Sequence, residues 1–310
     1  MQNKKKIILI MGPTAAGKTT LAIELCKQLP VEIISIDASM IYKDMNIGTS
    51  TPNADELKLA PHRLINICDV TDTYSVSHCF HDVKKEISNI IKNNKIPLLV
   101  GGTLMYFTSI LNGLYKLPPS NKQVRLFIQN KSKQIGWDNM YNIFKKIDKV
   151  SSKYIHKNDV YRISRILEIF LITGKSLSEL KTNSNKEKLP YFSYKFIISP
   201  IDRFSLHNRI KNRFNKILQS GFDLEVQKLF LRKDVNINLQ SMKSVGYRQM
   251  WSYLSNEINY EKMKLLVISA TNQIAKRQIT WLKKFNNTYW LDSQNLNFAI
   301  EFIKKKIIIN

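Results

Sequence analysis

Residues 12–19 read Gly12-Pro13-Thr14-Ala15-Ala16-Gly17-Lys18-Thr19, the G-x-x-x-x-G-K-[ST] spacing of a phosphate-binding loop. At this spacing backbone N–H groups and a helix N-terminus close around an anion, and Lys18 adds a full positive charge. The Thr19 hydroxyl is of the kind that binds Mg²⁺ in such loops. The pattern identifies a diphosphate and leaves the rest of its molecule open. Asp37 ends the apolar run "EIISID" (32–37). The carboxyl ends of parallel strands face the ligand crevice, where an Asp serves as metal ligand, substrate clamp or general base; Asp is also a common turn or capping residue. In "VGGTLMY" (100–106) Gly101 and Gly102 permit close backbone approach and Thr103 offers a hydroxyl, or the three simply make a tight strand-to-helix turn.

Two later helices carry charge in telling places. In "SLHNRIKNRFNKILQSG" (205–221) Leu206, Ile210, Phe214 and Ile217 share one face at 100° per residue, and Arg213 falls inside that stripe. An Arg on a buried face needs an anion or a carboxylate, so a phosphate site and a structural salt bridge both fit. In "SATNQIAKRQITWLKKF" (269–285) Ile274, Ala275, Ile279, Leu282 and Phe285 line one side. Lys276, Arg277, Thr280, Lys283 and Lys284 line the other, with Trp281 at the margin. A basic face beside an aromatic suits RNA phosphates and base stacking; an ordinary solvated helix face has the same pattern. The pair His78 and His81, with Cys79 between and Cys68 upstream, has partial zinc-ligand character, but no second cluster completes four ligands.

The elements that position these groups alternate. "KIILIMG", "EIISID" and "KIPLLVGGT" (95–103) read as strands separated by helix-like segments, among them the amphipathic "SVSHCFHDVKKEISNIIKNN". That alternation predicts a parallel sheet with crossover helices. Lys4, Lys5 and Lys6 before an apolar run mimic a signal peptide, but the run enters the phosphate loop, so it reads as the first strand. Pro118 and Pro119 break the pattern, residues 121–190 read as helical, and "KTNSNKEKLP" (181–190) reads as a linker before the strand "YKFIISP" (194–200). The expected architecture is an α/β phosphate-loop core in two parts, 1–120 and 191–310, with a helical insertion over 121–190 and a basic helix near the end.

At 44 % hydrophobic residues, the 310-residue chain has material for a real core, and no apolar run approaches the ~18 residues of a membrane span. Three scattered cysteines, Cys26, Cys68 and Cys79, suit a reducing cytoplasm better than a disulfide framework. The net charge of +24 suits a polyanionic partner, most naturally nucleic acid, though 38 of the 48 basic residues are Lys and a Lys-rich composition raises charge by itself. No apolar run ends in the Asp-Glu that accompanies ATP hydrolysis, and no Arg-rich lid of a small kinase is evident.

The ordered segments "MGPTAAGKT", "SIDASMIYKDMNIGTSTP", "APHRL", "IPLLVGGTLMYF", "IHKNDVYRISRILEIF", "SVGYRQMW" and "AKRQITWL" together resemble the tRNA dimethylallyltransferases, also called tRNA isopentenyl transferases, over nearly the whole chain. The resemblance implies transfer of a dimethylallyl group from dimethylallyl diphosphate to N6 of the adenosine 3′ of the anticodon, in tRNAs reading codons that begin with U. It implies a loop (Gly12 to Thr19) that holds the donor diphosphate with Mg²⁺ at Thr19. Asp37 is then the general base, Arg213 a diphosphate ligand, and Thr103 the guard between donor and base. The implied tRNA contacts begin with Asp37, Ala38, Ser39, Met40 and Thr103, and continue with Tyr161, Arg162, Ile163, Ser164 and Arg165, with Arg125 nearby. They resume at Lys243, Ser244, Val245, Gly246, Tyr247 and Arg248, and at Lys276, Arg277, Gln278, Ile279, Thr280, Trp281, Leu282 and Lys283. The chain departs from the family pattern at Ala38, commonly Ser, at Thr51, commonly Lys, and at Asn272, commonly Arg. The expected protein is a cytoplasmic monomer. Its rivals are a phosphate-loop kinase using Asp37 on a small molecule, and a non-catalytic RNA-binding protein; the helical insertion and the Arg277 face count against the first, the intact Gly17-Lys18-Thr19 and Asp37 against the second. Prenylation of a free adenine nucleotide would not require the long basic C-terminal part.

Overall fold

The computed structural model describes residues 5–308; Lys4, in the basic cluster before the first strand, lies outside them. Among the described residues six parallel strands form one sheet in the order β3-β2-β4-β1-β5-β6. They are β1 Lys6–Met11, β2 Val31–Ile36, β3 His62–Arg63, β4 Ile96–Gly101, β5 Phe192–Ser199 and β6 Tyr289–Asp292. β1, β2 and β4 are buried along nearly their whole length, which is why they read as unbroken Ile/Leu/Val runs rather than as alternating ones. One face of the sheet packs Ile8, Ile10, Ile33, Leu98 and Phe196 against Leu21 and Leu25 of the helix Lys18–Gln28 and Ile300 and Ile303 of the helix Leu296–Ile308.

Register decides what the sheet presents. Met11 on β1 and Ile36 on β2 both pair with Gly101 on β4, and Met11 also pairs with Ile197 on β5. The phosphate loop, Asp37 and Gly102-Thr103 therefore leave the sheet side by side at its carboxyl edge, the place where an open parallel sheet binds ligands. The α/β phosphate-loop-like architecture and its mostly helical insertion are those expected.

The chain forms two compact units, residues 1–110 with 189–310, and residues 111–188. The second has its own core, in which Ile128, Met140, Phe144, Ile163, Ile166 and Leu167 pack together from the helices Lys122–Ile135, Trp137–Ile147 and Val160–Thr173. It begins before the double proline, because Leu114 and Glu187 pair as an antiparallel bridge at its neck. The polar stretch 181–190 is accordingly not a free linker: a helix runs to Thr182 and Glu187 is held by both its backbone N–H and C=O to Leu114. Among the described residues no helix is long and apolar enough to cross a membrane.

Candidate active site

The phosphate loop turns through two left-handed residues, Ala15 (φ 61°) and Gly17 (φ 82°), before the helix Lys18–Gln28 begins with no side-chain cap on its first N–H groups. Gly17 adopts that φ at no steric cost; Ala15 does not, so its neighbours must hold it. Lys18 lies under the loop with Nζ donating to the Pro13 carbonyl at 2.7 Å. Burial pulls its pKa down to about 8, opposed by the Asp37 charge and reinforced by Arg213.

Arg213 answers the question its place in the helix Arg203–Gln219 raises. Its side chain is half-buried and its guanidinium donates to Thr14 Oγ1 at 2.5 Å, Ser50 Oγ at 3.1 Å and the Thr49 carbonyl at 3.0 Å. Among the described residues no carboxylate lies within ion-pair distance, so the salt-bridge alternative is excluded. Burial lowers its pKa from the ordinary value, with Asp37 the opposing charge. Two half-buried cations thus face a cavity of about 670 Å³ whose lining also holds Asp37 and Glu56, with Asp37 the acid that acts on both. That imbalance calls for an anion.

Asp37 follows the last residue of β2. Its Oδ1 accepts from the N–H groups of Ser39 (2.8 Å) and Met40 (3.3 Å), which fixes the carboxylate; among the described residues no donor meets Oδ2. Thr103 Oγ1 accepts from Ala38 N–H at 3.0 Å, tying the β4 turn to the same segment. Ser39 and Ser244 share a hydroxyl hydrogen bond of 3.1 Å, which joins it in turn to the Lys243–Arg248 stretch.

A second cavity of about 460 Å³ adjoins the first; Thr14, Asp37, Gly102, Arg213 and Gln278 line both. Ile210, Phe214, Ile217 and Phe222 give it an apolar wall, Thr103, Val245 and Gly246 another part of its lining, and Arg277 and Trp281 a third. A charged cradle therefore opens, past one carboxylate, into an apolar chamber. Thr19 lies in the cradle with Ser35 and Asp37. Among the described residues no cluster of three or more His, Cys, Asp or Glu could hold a metal. A hydroxyl completed by ligand phosphate oxygens and water is a donor set that suits Mg²⁺. The zinc reading fails on the same grounds: the His78 ring accepts from Ser75 N–H as a helix cap, and Cys79 is buried.

Burial and pairing constrain several of the tRNA contacts that the resemblance implies. Leu282 and Ile163 are fully buried in cores, so their side chains are not placed to meet RNA; Tyr247 is buried too, but it lies in the wall of the apolar chamber beside Gly246. Tyr247 donates to Glu225, and burial together with that carboxylate raises its pKa far above the usual phenol range. Arg125 and Arg165 both pair with the buried Glu168 inside the helical unit, at 3.0 and 2.6 Å, with Arg165 also on the Pro118 carbonyl. Their first task is to neutralise that carboxylate, although Arg125 remains half exposed. In the same unit Tyr161 and Arg162 are exposed and Ser164 is half-buried. Lys243 and Arg248 are exposed on the core unit. On the long helix Tyr260–Leu282 the residues divide: Arg277 and Trp281 line the apolar chamber, whereas Lys276, Thr280 and Lys283 line a separate groove with Ile279, Arg203, His207 and Trp290. At the departures, Ala38 engages through its backbone, Thr51 bonds Thr49 at 2.8 Å, and Asn272 Oδ1 is buried without a partner.

Two residues, Glu225 and His62, carried no role in the sequence, and a third, Gln278, stood there only as a tRNA contact. Glu225 accepts from the N–H groups of Asn46, Ile47 and Gly48 at 2.8, 2.7 and 3.0 Å and so shapes the 45–51 loop on which Arg213 rests. Its signal was present: in "FDLEVQKLF" it falls in the stripe of Phe222, Val226 and Leu229, as Arg213 does in its own helix. Gln278 joins the phosphate loop to the β4 turn, accepting from Thr14 N–H and donating to the Gly102 carbonyl, both at 2.9 Å. His62 lines the charged cradle, its Nδ1 on the Ala60 carbonyl and its pKa lowered by burial; only the fold brings it there.

The family model described as IPP transferase matches residues 40–285. The full-length tRNA isopentenylpyrophosphate transferase of Bacillus halodurans matches with a TM-score of 0.71 at 29 % identity, over 98 % of this chain and 97 % of that one. The tRNA delta(2)-isopentenylpyrophosphate transferase of Staphylococcus epidermidis gives 0.67 and 31 %, over 98 % and 99 %. A eukaryotic dimethylallyltransferase, seen in crystallographic snapshots acting on tRNA, gives 0.85 and 25 %, over 99 % of this chain and 80 % of that chain.

Proposed function

The chain belongs to the IPP transferase family, and from that premise we propose that it transfers a dimethylallyl group from dimethylallyl diphosphate to N6 of the adenosine 3′ of the anticodon in tRNA. The observation that carries this reading is the pairing of a charged cradle with an apolar chamber across Asp37. A diphosphate bearing a five-carbon apolar group has that polarity, and a nucleoside triphosphate with a polar co-substrate does not.

The chemistry follows from the placement. The adenine amino group is a poor nucleophile, since its lone pair is delocalised into the ring. As N6 attacks C1 of the dimethylallyl group, the C1–O bond breaks and its electron pair leaves with the diphosphate. The N6 proton passes to Asp37 Oδ2, the oxygen free of backbone donors. Lys18, Arg213 and the loop amides take up the charge that develops on the leaving group. Thr19 would hold Mg²⁺, which when bound neutralises further diphosphate charge. The base reaches the chamber only by leaving its stack, at about a few kcal/mol, less in a loop than in a duplex. Arg277 and Trp281 at that chamber offer a phosphate contact and a stacking face. The three free thiols suit a reducing cytoplasm, and we take the working form to be a monomer. The direct test incubates the purified protein with labelled dimethylallyl diphosphate, Mg²⁺ and bulk tRNA lacking the modification. Label should appear on N6 of the adenosine next to the anticodon; rapid ATP hydrolysis without tRNA, and no labelled tRNA, would return the site to a kinase.

A further inference from the structure

We propose that Gln278 is a positioning residue of the donor cradle, not an RNA contact, and that its carboxamide holds the phosphate loop in the shape that receives diphosphate. The inference rests on the donor reading of that loop given above. Gln278 sits among basic residues on the long helix, between Arg277 and Ile279, yet its side chain spans inward. Oε1 accepts from Thr14 N–H at 2.9 Å and Nε2 donates to the Gly102 carbonyl at 2.9 Å. A backbone N–H requires an acceptor and a carbonyl requires a donor, so these partners fix which end of the amide is which. Glutamine meets both; glutamate would set a second acceptor against the Gly102 carbonyl.

The surroundings are shaped for this side chain. A Cβ on residue 102 would come within 2.7 Å of Gln278 Nε2, so Gly102 leaves the room the amide occupies. Thr14 is gripped from both sides, its N–H by Gln278 and its hydroxyl by Arg213. The next residue is Ala15 with φ 61°, a conformation a non-glycine residue keeps only where neighbours over-determine it. The Gln278 bond also takes Thr14 N–H out of use as a phosphate donor. Its contribution to binding is thus the loop shape rather than direct contact. Its neighbours on the same helix, Arg277 and Trp281, line only the acceptor chamber, whereas Gln278 stands at the boundary of the two cavities with its amide committed to the loop.

The test compares wild type, Gln278→Ala and the near-isosteric Gln278→Glu. Binding of inorganic diphosphate with Mg²⁺ is measured by calorimetry, tRNA binding by filter retention, and the donor KM and kcat in the transfer assay. Losing two hydrogen bonds should weaken diphosphate binding and raise the donor KM about tenfold in Gln278→Ala, with tRNA affinity within about twofold of wild type. Gln278→Glu should be at least as weak at neutral pH. Acidification, which protonates the introduced carboxyl and restores a donor toward Gly102, should recover its diphosphate affinity relative to Gln278→Ala at the same pH. A merely structural defect would not show that pH-dependent rescue. Unchanged diphosphate binding with lost tRNA affinity in Gln278→Ala would overturn the inference and make Gln278 an RNA contact. Wild type that binds no diphosphate would instead sink the donor reading itself.

Discussion

Lys18 and Arg213 are costly residues to bury, and the cost is informative. Lys18 is pulled down to about pKa 8 by desolvation, so its folded pKa is below the value it has in an unfolded chain. The sign then follows: below about pH 8 the folded state carries the penalty of the charged form, and that penalty is relieved as pH rises from about 8 toward the unfolded pKa. Diphosphate binding reverses the shift by favouring the ammonium. The affinity of wild type relative to Lys18→Ala, in which the ligand's own ionisation cancels, should therefore be flat below about pH 7 and weaken above about 8, by up to about tenfold per unit for one linked proton. Calorimetry at pH 8.5 in two buffers of different ionisation enthalpy should detect more proton uptake in wild type than in Lys18→Ala, which should also bind diphosphate weakly. At Asp37 the expected loss is in turnover. Asn keeps the Oδ1 acceptor for Ser39 and Met40 but cannot take a proton, so kcat should fall ~10²–10⁴-fold while diphosphate and tRNA affinities hold. A kcat within a few-fold of wild type would deny Asp37 the role of base.

Among the elements, the long helix Tyr260–Leu282 shows how much a periodicity argument can and cannot give. Its apolar side, with Ala275 and Leu282 buried, and its exposed Lys276, Arg277 and Thr280 were readable from 100° spacing. That Gln278 belongs to the phosphate loop was not, because its partners Thr14 and Gly102 are remote in sequence. Glu225 and Arg213 were both visible as charges inside apolar stripes, but only the fold says what each holds. Glu225→Ala would strip the acceptor from three N–H groups and the Tyr247 hydroxyl. It should lower unfolding free energy by about 2–3 kcal/mol in a urea titration and raise the donor KM, since the loop that bears Ser50 and Thr49 also receives Arg213. At Arg277, which is exposed at the mouth of the acceptor chamber, each direct phosphate contact adds roughly 0.7–0.9 to the slope of log affinity against log salt. Arg277→Ala should flatten the tRNA-binding slope by about one unit at most and leave diphosphate affinity intact. An unchanged slope with unchanged affinity would make that face ordinary solvated surface.

For the whole molecule, the strand order left no trace in the sequence, but the parallel sheet, the carboxyl-edge site and the interrupted core were legible because β1, β2 and β4 are continuous apolar runs ending in loops with distinctive chemistry. The edges of the insertion were less so: a bridge between Leu114 and Glu187 sets them, and pairings at that separation leave no local trace. The net charge of +24 is a property of the whole chain, whereas the residues proposed for the donor all lie in residues 1–110 and 189–310. Each unit also has a hydrophobic core of its own, around Ile10, Leu98 and Phe196 in one and around Phe144, Ile163 and Leu167 in the other. The sequence on either side of the insertion is already brought together at the Leu114–Glu187 bridge, with Leu114 N–H to Glu187 carbonyl at 3.0 Å and the reciprocal bond at 2.9 Å. Replacing residues 115–186 by a short Gly-rich turn should therefore leave the sheet folded. Closing a short loop in place of a long folded insertion adds little entropic cost. The shortened protein should bind inorganic diphosphate with Mg²⁺ within a few-fold of wild type and keep a cooperative thermal transition. Its tRNA affinity should fall sharply, because Tyr161 and Arg162, exposed on the helical unit, and the half-exposed Arg125 are removed with it. Undiminished tRNA binding would confine the RNA interface to the core unit, and lost diphosphate binding in a folded protein would show that the donor cradle depends on the insertion.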